Sequence, residues 1–159
     1  MLSLRSLYFS VILSIPFMGC TNYSSSPNGF IVNTPIITQI TISPNGTGGH
    51  YIEMSAQNTE IGFLGYRIFQ STTEAGLLNA PPASGTDCSQ LYLIPNQGIT
   101  YRIEVDPLAV APPVDNPNNI ICFTNISLIP GNYAGIRALK TSDFFSITTG
   151  LSSNAAIVP

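Results

Sequence analysis

The sequence predicts an all-β protein, a single antiparallel β-sandwich, and three observations support this. Short runs of β-branched and aromatic residues alternate with clusters of Gly, Pro and Asn, as strands alternate with turns. Charged residues make up only 8% of the chain, and the long Ala-, Glu-, Lys- and Leu-rich runs of helical proteins are missing. After the first 19 residues, no apolar stretch has a helical period.

The predicted strands follow one another from near Pro35 to the end of the chain. In the first, residues 36–43, Ile alternates with Thr and Gln, as expected of a half-buried strand. The turn cluster 44–49 then contains positions suited to positive φ. The other predicted strands are residues 51–56, 66–70, 90–94, 100–105, 120–128, 133–140, 144–148 and 155–158. About seven to nine short strands with frequent turns indicate a sandwich or barrel.

Two long segments interrupt the predicted strands. Residues 72–87 contain Pro81 and Pro82 and predict a loop with a helical turn near residues 75–78. Residues 106–119 are rich in Pro, Asn and Asp and predict a second loop. Because loops on a rigid sandwich often carry binding, both are candidates for a contact surface.

The first 19 residues have the pattern of a signal peptide. Arg5 precedes an apolar stretch over residues 7–17, which is about half the ~20 residues needed to span a bilayer. Gly19 and Cys20 follow, and a cysteine at this point resembles the bacterial lipoprotein signal. Residues 17–18, Phe and Met, depart from the usual pattern, and such loose signals resemble those of spirochaete lipoproteins. The alternative is an ordinary secretory signal that leaves Cys20 as a free thiol.

The lipoprotein resemblance implies that residues 1–19 are removed and that Cys20 carries lipid, such as palmitate, as a membrane anchor. Thr21 follows the cysteine where Asp would indicate the inner membrane, so the outer membrane of the cell envelope is expected, with its face left open. Residues 20–34 are rich in Ser, Asn, Gly and Pro and predict a flexible tether. This tether would hold the domain of residues 35–159 away from the membrane.

The two remaining cysteines predict a disulfide. With Cys20 assigned to lipid, Cys88 and Cys122 form an even pair in an exported chain. Their Cα atoms are therefore expected to lie about 4.4–6.8 Å apart. Two buried free thiols are the alternative. No Cys-x-x-Cys motif is present, so zinc binding is not expected.

The segment 126–133, Ile-Ser-Leu-Ile-Pro-Gly-Asn-Tyr, resembles the Leu-x-Pro-Gly…Tyr pattern that begins strand F of fibronectin type III domains. Further similarity at residues 65–69, 137–139 and 150–154 extends the resemblance over most of the predicted domain. It implies an immunoglobulin-like sandwich in which Tyr133 forms a tyrosine corner. Gly135 stands where the family usually has an inward Val, which predicts a bulge or a register shift there. The alternative is an unrelated sandwich with a coincidental turn.

The sequence offers little for catalysis. His50 is the only imidazole and follows two glycines, so a solvated turn residue is expected. Glu53, Glu60 and Glu74 are scattered, without the paired placement that glycoside hydrolysis requires. The oxygen-rich segment 106–119 could line a calcium site, but it lacks the EF-hand spacing. The expectation is that the protein is not an enzyme and uses no cofactor or metal.

The composition and the predicted lipoprotein signal together narrow the classes of function that the protein could have. A net charge of −3 and the absence of a basic stripe argue against a nucleic-acid partner. The sequence is most consistent with a membrane-anchored, non-catalytic interaction or adhesion module that binds a protein or a glycan. The alternative is a structural periplasmic or envelope lipoprotein whose sheet edge pairs with a partner. A hydrolase is a remote alternative, and it requires His50 within hydrogen-bonding reach of a Ser or Asp in a cleft.

Overall fold

Two β-sheets lie face to face in the computed structural model, which describes residues 39–58, 62–89, 95, 98–108, 118–141 and 146–159. The predicted fold class, an all-β sandwich, is confirmed. The first sheet has the order β1-β2-β5-β6, and the second has the order β4-β3-β7-β8, with β9 also paired to β7. The strands are β1 Ile40–Pro44, β2 His50–Ser55, β3 Phe63–Ser71, β4 Thr86–Cys88, β5 Thr100–Val105, β6 Ile120–Thr124, β7 Tyr133–Thr141, β8 Ile147–Ser152 and β9 Ala156–Ile157.

Most predicted strands are present, with shifted boundaries. The alternation in β1 has the predicted phase, since Ile40 is buried and Thr41 is exposed. The strand predicted at residues 144–148 instead covers Ile147–Ser152, and the one predicted at 90–94 lies outside the described residues. Within the segment 72–87, the predicted helical turn is the helix α1, Glu74–Leu78, and a 3₁₀ turn follows at Pro82–Ser84.

One strand pair departs from the predicted antiparallel arrangement. β5 and β6 run parallel, whereas the other described pairs are antiparallel. A parallel pair requires a crossover connection of a dozen or more residues. The segment 106–119 supplies that length and returns the chain to the end of the sheet where β5 began.

The bulge or register shift predicted at Gly135 is wrong. Gly135 pairs in regular register with Phe69 of β3. The absence of a side chain serves packing instead, because a Cβ atom at Gly135 would lie 3.0 Å from Cδ2 of Leu77 in α1. The small residue therefore makes room for the helix that covers this sheet.

The core between the sheets is aliphatic and aromatic. Ile52, Ile103 and Ile136 are fully buried and contribute from both sheets. Tyr66 is also fully buried, and its hydroxyl donates a 2.5 Å hydrogen bond to Oδ1 of the buried Asn58. Because the polar groups of this pair bond to each other, the core avoids the cost of unpaired buried groups.

The strand directions define two ends of the sandwich. We call the end where β1 begins the proximal end and the end where β1 finishes the distal end. The bond from Asn58 N to Pro95 O, near the start of β5, and the Tyr66–Asn58 bond place the beginning of β3 at the proximal end. Since β7 runs antiparallel to β3, β7 begins at the distal end. The β1–β2 turn, residues 106–108 and the turn 129–132 therefore lie at the distal end.

A side-chain amide joins the two sheets on the side where β1 meets β9. Asn154 Oδ1 accepts a 2.6 Å hydrogen bond from Ile40 N, and Asn154 Nδ2 donates a 3.2 Å bond to Ile40 O. One amide thus satisfies both backbone groups of Ile40 in a strand at the edge of its sheet.

Candidate interaction surfaces

The predicted N-terminal features lie outside the described residues. This applies to the signal peptide of residues 1–19, to Cys20 and to the tether of residues 20–34. Within the described residues, no helix is long and apolar enough to span a membrane. The lipid anchor therefore stays a prediction.

The predicted pairing of Cys88 and Cys122 agrees with the structure. The two residues form a disulfide, and their Cα atoms are 5.9 Å apart, within the expected range. Cys88 ends β4 and Cys122 lies in β6, which are the edge strands of the two sheets on one side of the sandwich. The disulfide therefore fastens the sheets together on the side opposite the Asn154 contact.

Tyr133 is half-buried and begins β7, where the fibronectin type III resemblance places the corner tyrosine. Next to it, Gly131 N donates to Val158 O, and Val158 N donates to Asn132 O. These bonds fix the turn 129–132 against the end of the chain. The hydroxyl contact that defines a tyrosine corner stays a prediction.

The segment 72–87 packs on the outer face of the second sheet. Its helix α1 begins after Thr73, whose Oγ1 accepts a 3.1 Å hydrogen bond from Gly76 N. Leu77 of α1 is fully buried next to Gly135. The segment therefore rests on the sheet through Leu77, whereas most of its residues are exposed and remain available as a contact surface.

Arg137 holds α1 in place from the strand below it. Its guanidinium group lies 4.3 Å from the centre of the Phe69 ring. Nη1 donates 2.9 Å to Ala80 O, and Nη2 donates to Leu77 O and Leu78 O at 3.4 and 3.2 Å. The side chain is buried, and its Nε–H has no hydrogen-bond partner among the described residues. The cation thus provides a donor to the carbonyl oxygens of Leu78 and Ala80 near the end of the short helix, and a second donor to Leu77 O, which also accepts from Ala80 N.

Two arginines stand directly opposite each other on this face, since Arg67 of β3 pairs in register with Arg137 of β7. Like charges in such positions repel. Arg67 pairs instead with Asp87 through two hydrogen bonds, and the bond to Asp87 raises the pKa of Arg67. Each guanidinium group therefore points to its own acceptors, which reduces the repulsion.

The distal end is organised around the Asp106 carboxylate. Asp106 Oδ2 accepts a 2.5 Å hydrogen bond from Thr47 Oγ1 and a 2.9 Å bond from Asn45 Nδ2, and Oδ1 accepts a 2.8 Å bond from Leu108 N. Asn45 Oδ1 in turn accepts bonds from Thr47 N and Gly49 N, which shapes the turn. Oδ2 therefore accepts from the β1–β2 turn and Oδ1 from the start of the segment 106–119, so both oxygens that the calcium hypothesis would have used accept hydrogen bonds.

Hydrogen bonds hold the pKa of Asp106 below the ordinary value of 3.8. The bond from Thr47 lowers this pKa most, and the bonds from Asn45 and Leu108 lower it further. Because this pKa is lower in the folded state than in the unfolded chain, ionised Asp106 stabilises the fold at pH values above the unfolded-state pKa. This stabilisation is lost as the pH falls through the folded-state pKa. We therefore expect Asp106→Asn to lower the free energy of unfolding at pH 7 and pH 5, with a smaller difference below pH 3. Urea titrations at these values measure the effect, and an equal loss at each pH would contradict this explanation.

Polar and aromatic side chains form a network on the outer face of the first sheet. Arg102 Nε donates 2.8 Å to Glu53 Oε1, and the guanidinium carbon lies 5.6 Å from the Tyr51 ring centre. Burial and the neighbouring Glu104 carboxylate raise the pKa of Tyr51. A depression of about 290 Å³ beside this network is lined by Gln39, Ile40, Thr41, Glu53, Met54, Ser55 and Thr100. It is open to solvent, unlike an enclosed ligand pocket.

Among the described residues, the structure does not bring the candidate catalytic residues together, and Glu60 lies outside these residues. His50 begins β2 and is half-buried beside Pro44 and Val105 in the sheet register. Glu53 is engaged with Arg102, and Glu74 lies in the first turn of α1. Across the described ranges, no group of three or more His, Cys, Asp or Glu side chains could hold a metal ion.

Three residues with structural roles were not identified from the sequence. Asp106, Arg137 and Asn154 each act through partners more than 50 residues away.

Comparison of the chain with protein-family models, with curated proteins and with solved structures found no match.

Proposed function

We propose that this chain is a lipid-anchored, non-catalytic binding module of a bacterial cell envelope, and that it binds a protein through the distal end of its sandwich. This proposal depends on the end of the sandwich at which the predicted tether would join the domain. β1 begins at the proximal end, so a tether at residues 20–34 would connect there. The β1–β2 turn, residues 106–108 and the turn 129–132 would then face away from the membrane.

The distal end has the properties of a binding surface. Leu108 and Ile129 are 74% and 54% exposed there, and exposed aliphatic side chains favour a protein partner over a glycan. The hydrogen bonds of Asp106 and of the turn 129–132 hold this end rigid. A preorganised surface loses less conformational entropy when it binds.

We also propose that the sandwich is immunoglobulin-like, as the fibronectin type III resemblance implies. The orders β1-β2-β5 and β3-β7-β8 correspond to the orders A-B-E and C-F-G of that fold. β4, beside β3, takes the place of an additional C′ strand. The parallel strand β6 departs from this arrangement.

The test is binding of the purified Cys20→Ser chain to cells that the organism contacts. We expect saturable binding that is lost when the target cells are first treated with protease. Replacement of Leu108 and Ile129 together by Lys should weaken binding at least about tenfold, because charges would then enter an apolar contact.

The matched control is Ile99→Lys, because Ile99 is 42% exposed and precedes β5 at the proximal end. Equal weakening by the control and the distal variant would reject the distal surface. Absence of any saturable binding would reject the binding role.

The second candidate is a structural envelope lipoprotein, and the uncharged edge strand β8 favours it. Protease treatment of intact cells separates the two functions. A surface-displayed binding module should be degraded, whereas a periplasmic structural protein should be spared.

A further inference from the structure

The Asn45 side chain is the hydrogen-bonding centre of the β1–β2 turn. Its Nδ2 donates to two carboxylates, at 2.9 Å to Asp106 Oδ2 and at 3.4 Å to Glu104 Oε1. Its Oδ1 accepts bonds of 3.0 and 2.9 Å from the backbone N–H groups of Thr47 and Gly49. One uncharged amide therefore shapes the turn and also provides the donor that two carboxylates share.

The next residue, Gly46, has a backbone N–H that is free to react. Gly46 is exposed, and a Cβ atom added there would meet no atom within 4 Å. Among the described residues, its N–H has no hydrogen-bond partner, in contrast to Thr47 N and Gly49 N. The Gly46 nitrogen is therefore not hindered by a side chain, by packing or by a bonding partner.

This arrangement allows deamidation of Asn45. Asparagine is a chemically labile residue, and a following glycine has no Cβ to obstruct attack by its nitrogen. In the reaction the Gly46 nitrogen attacks Asn45 Cγ, and the new C–N bond closes a cyclic imide. The Cγ–Nδ2 bond breaks, and the Gly46 proton passes through water to the leaving nitrogen, which departs as ammonia. Water then opens the imide and leaves a carboxylate at position 45, as aspartate or isoaspartate.

The turn also stabilises the atom on which charge develops. During the attack, negative charge accumulates on Asn45 Oδ1, to which Thr47 N–H and Gly49 N–H already donate. Backbone donors placed in advance in this way stabilise the tetrahedral intermediates of acyl transfer. The attack is intramolecular, so it requires no encounter with a second molecule. The nucleophile and the oxyanion site therefore lie within one turn.

We propose that Asn45–Gly46 is a self-modification site, and that its deamidation loosens the distal end. The reaction removes the Nδ2 donor and places a new carboxylate against those of Asp106 and Glu104. Carboxylates that share a site repel one another, and the acceptors that lose their donor are left with fewer hydrogen bonds. The reaction depends on the turn alone and not on the proposed binding function.

The first test follows deamidation of the wild-type full-length chain by peptide mass spectrometry. Asn28–Gly29, in the predicted tether, is the matched internal control, because both Asn-Gly pairs are preceded by proline. In the folded chain near neutral pH, we expect Asn45 to convert at least as fast as Asn28. In urea the two rates should be similar, because the local sequence then determines the reactivity.

The second test introduces the product directly. Asn45→Asp should lower the urea concentration at the unfolding midpoint near neutral pH, because the new charge faces Glu104 and Asp106. Most of this loss should be recovered at about pH 4, where protonation of carboxyl groups removes the added charge. Asn45→Ala is the matched control. It removes the same amide without adding a charge, so its loss should not be recovered.

The proposal is overturned if Asn45 stays intact in the folded chain while Asn28 converts, because the fold would then protect the site. It is also overturned if Asn45→Asp unfolds at the wild-type midpoint near neutral pH. The rate measurement uses the wild-type chain, so it stands even if a variant fails to fold. Absence of binding to cells would reject the proposed function and would leave both measurements unaffected.

Discussion

Cys20→Ser is expected to move the protein completely from the detergent phase to the aqueous phase in Triton X-114 partition. Acyl chains contribute ~0.8 kcal/mol per buried CH₂ group to membrane binding, so loss of the lipidation site would remove the dominant anchoring free energy. The described part of the chain has no helix that could replace it. The measurement is the fraction of protein in each phase on immunoblots.

Ser26→Ala, in the predicted tether, is the matched control and should remain in the detergent phase. Globomycin should cause the unprocessed precursor to accumulate, and mass spectrometry should identify a lipid-modified Cys20 as the first residue of the mature chain. Detergent partition of the Cys20→Ser protein would show that another segment anchors it.

Replacing Cys88 and Cys122 together by Ala is expected to lower the free energy of unfolding by roughly 3–4 kcal/mol. The disulfide closes a loop with a sequence separation of 34 residues, so its loss enlarges the unfolded ensemble. Both residues are buried, and Ala avoids placing two hydroxyl groups in the core. The measurement is a urea titration of the full chain.

Reduction of the wild-type protein with dithiothreitol should lower the urea concentration at its unfolding midpoint. The double substitution should lower this midpoint by a similar amount. The double variant should not respond to the reductant. Its m value should also rise, because an unfolded chain without the crosslink exposes more surface. An equal midpoint for the oxidised wild-type chain and the variant would contradict a stabilising role for the disulfide.

The sequence predicted the strands because their signal is local. Alternation of Ile with Thr in β1 and the β-branched and aromatic residues of β5 indicate which side chains are buried, without reference to the rest of the chain. The disulfide was also predictable. Once Cys20 is set aside for lipid, only one pairing remains.

The position of the segment 72–87 could not be predicted from local sequence patterns. Its helical turn was predicted, but its position against the second sheet was not. That position depends on Arg137 and Gly135, which lie about 60 residues further along the chain. Gly135 predicted a bulge, because the sequence cannot distinguish a glycine needed for backbone freedom from one that makes room for a neighbour.

The hydrogen bonds that organise the distal end, a candidate binding surface, could not be predicted from local sequence patterns either. Asn45 and Thr47 were identified as turn residues, and Asp106 as part of a loop. Only the tertiary structure shows that the Asp106 carboxylate joins them by hydrogen bonds across about 60 residues. Such a bond leaves no periodic pattern in the sequence.

The sequence by itself therefore determined the fold class, the cysteine pair and the resemblance to a lipoprotein signal. These follow from residue type, spacing and alternation, which are properties of short segments. The tertiary structure decided that β6 runs parallel to β5, that α1 covers one sheet and that β8 remains an uncharged edge. These features depend on contacts between distant segments, and such contacts form only when the complete sandwich brings those segments together.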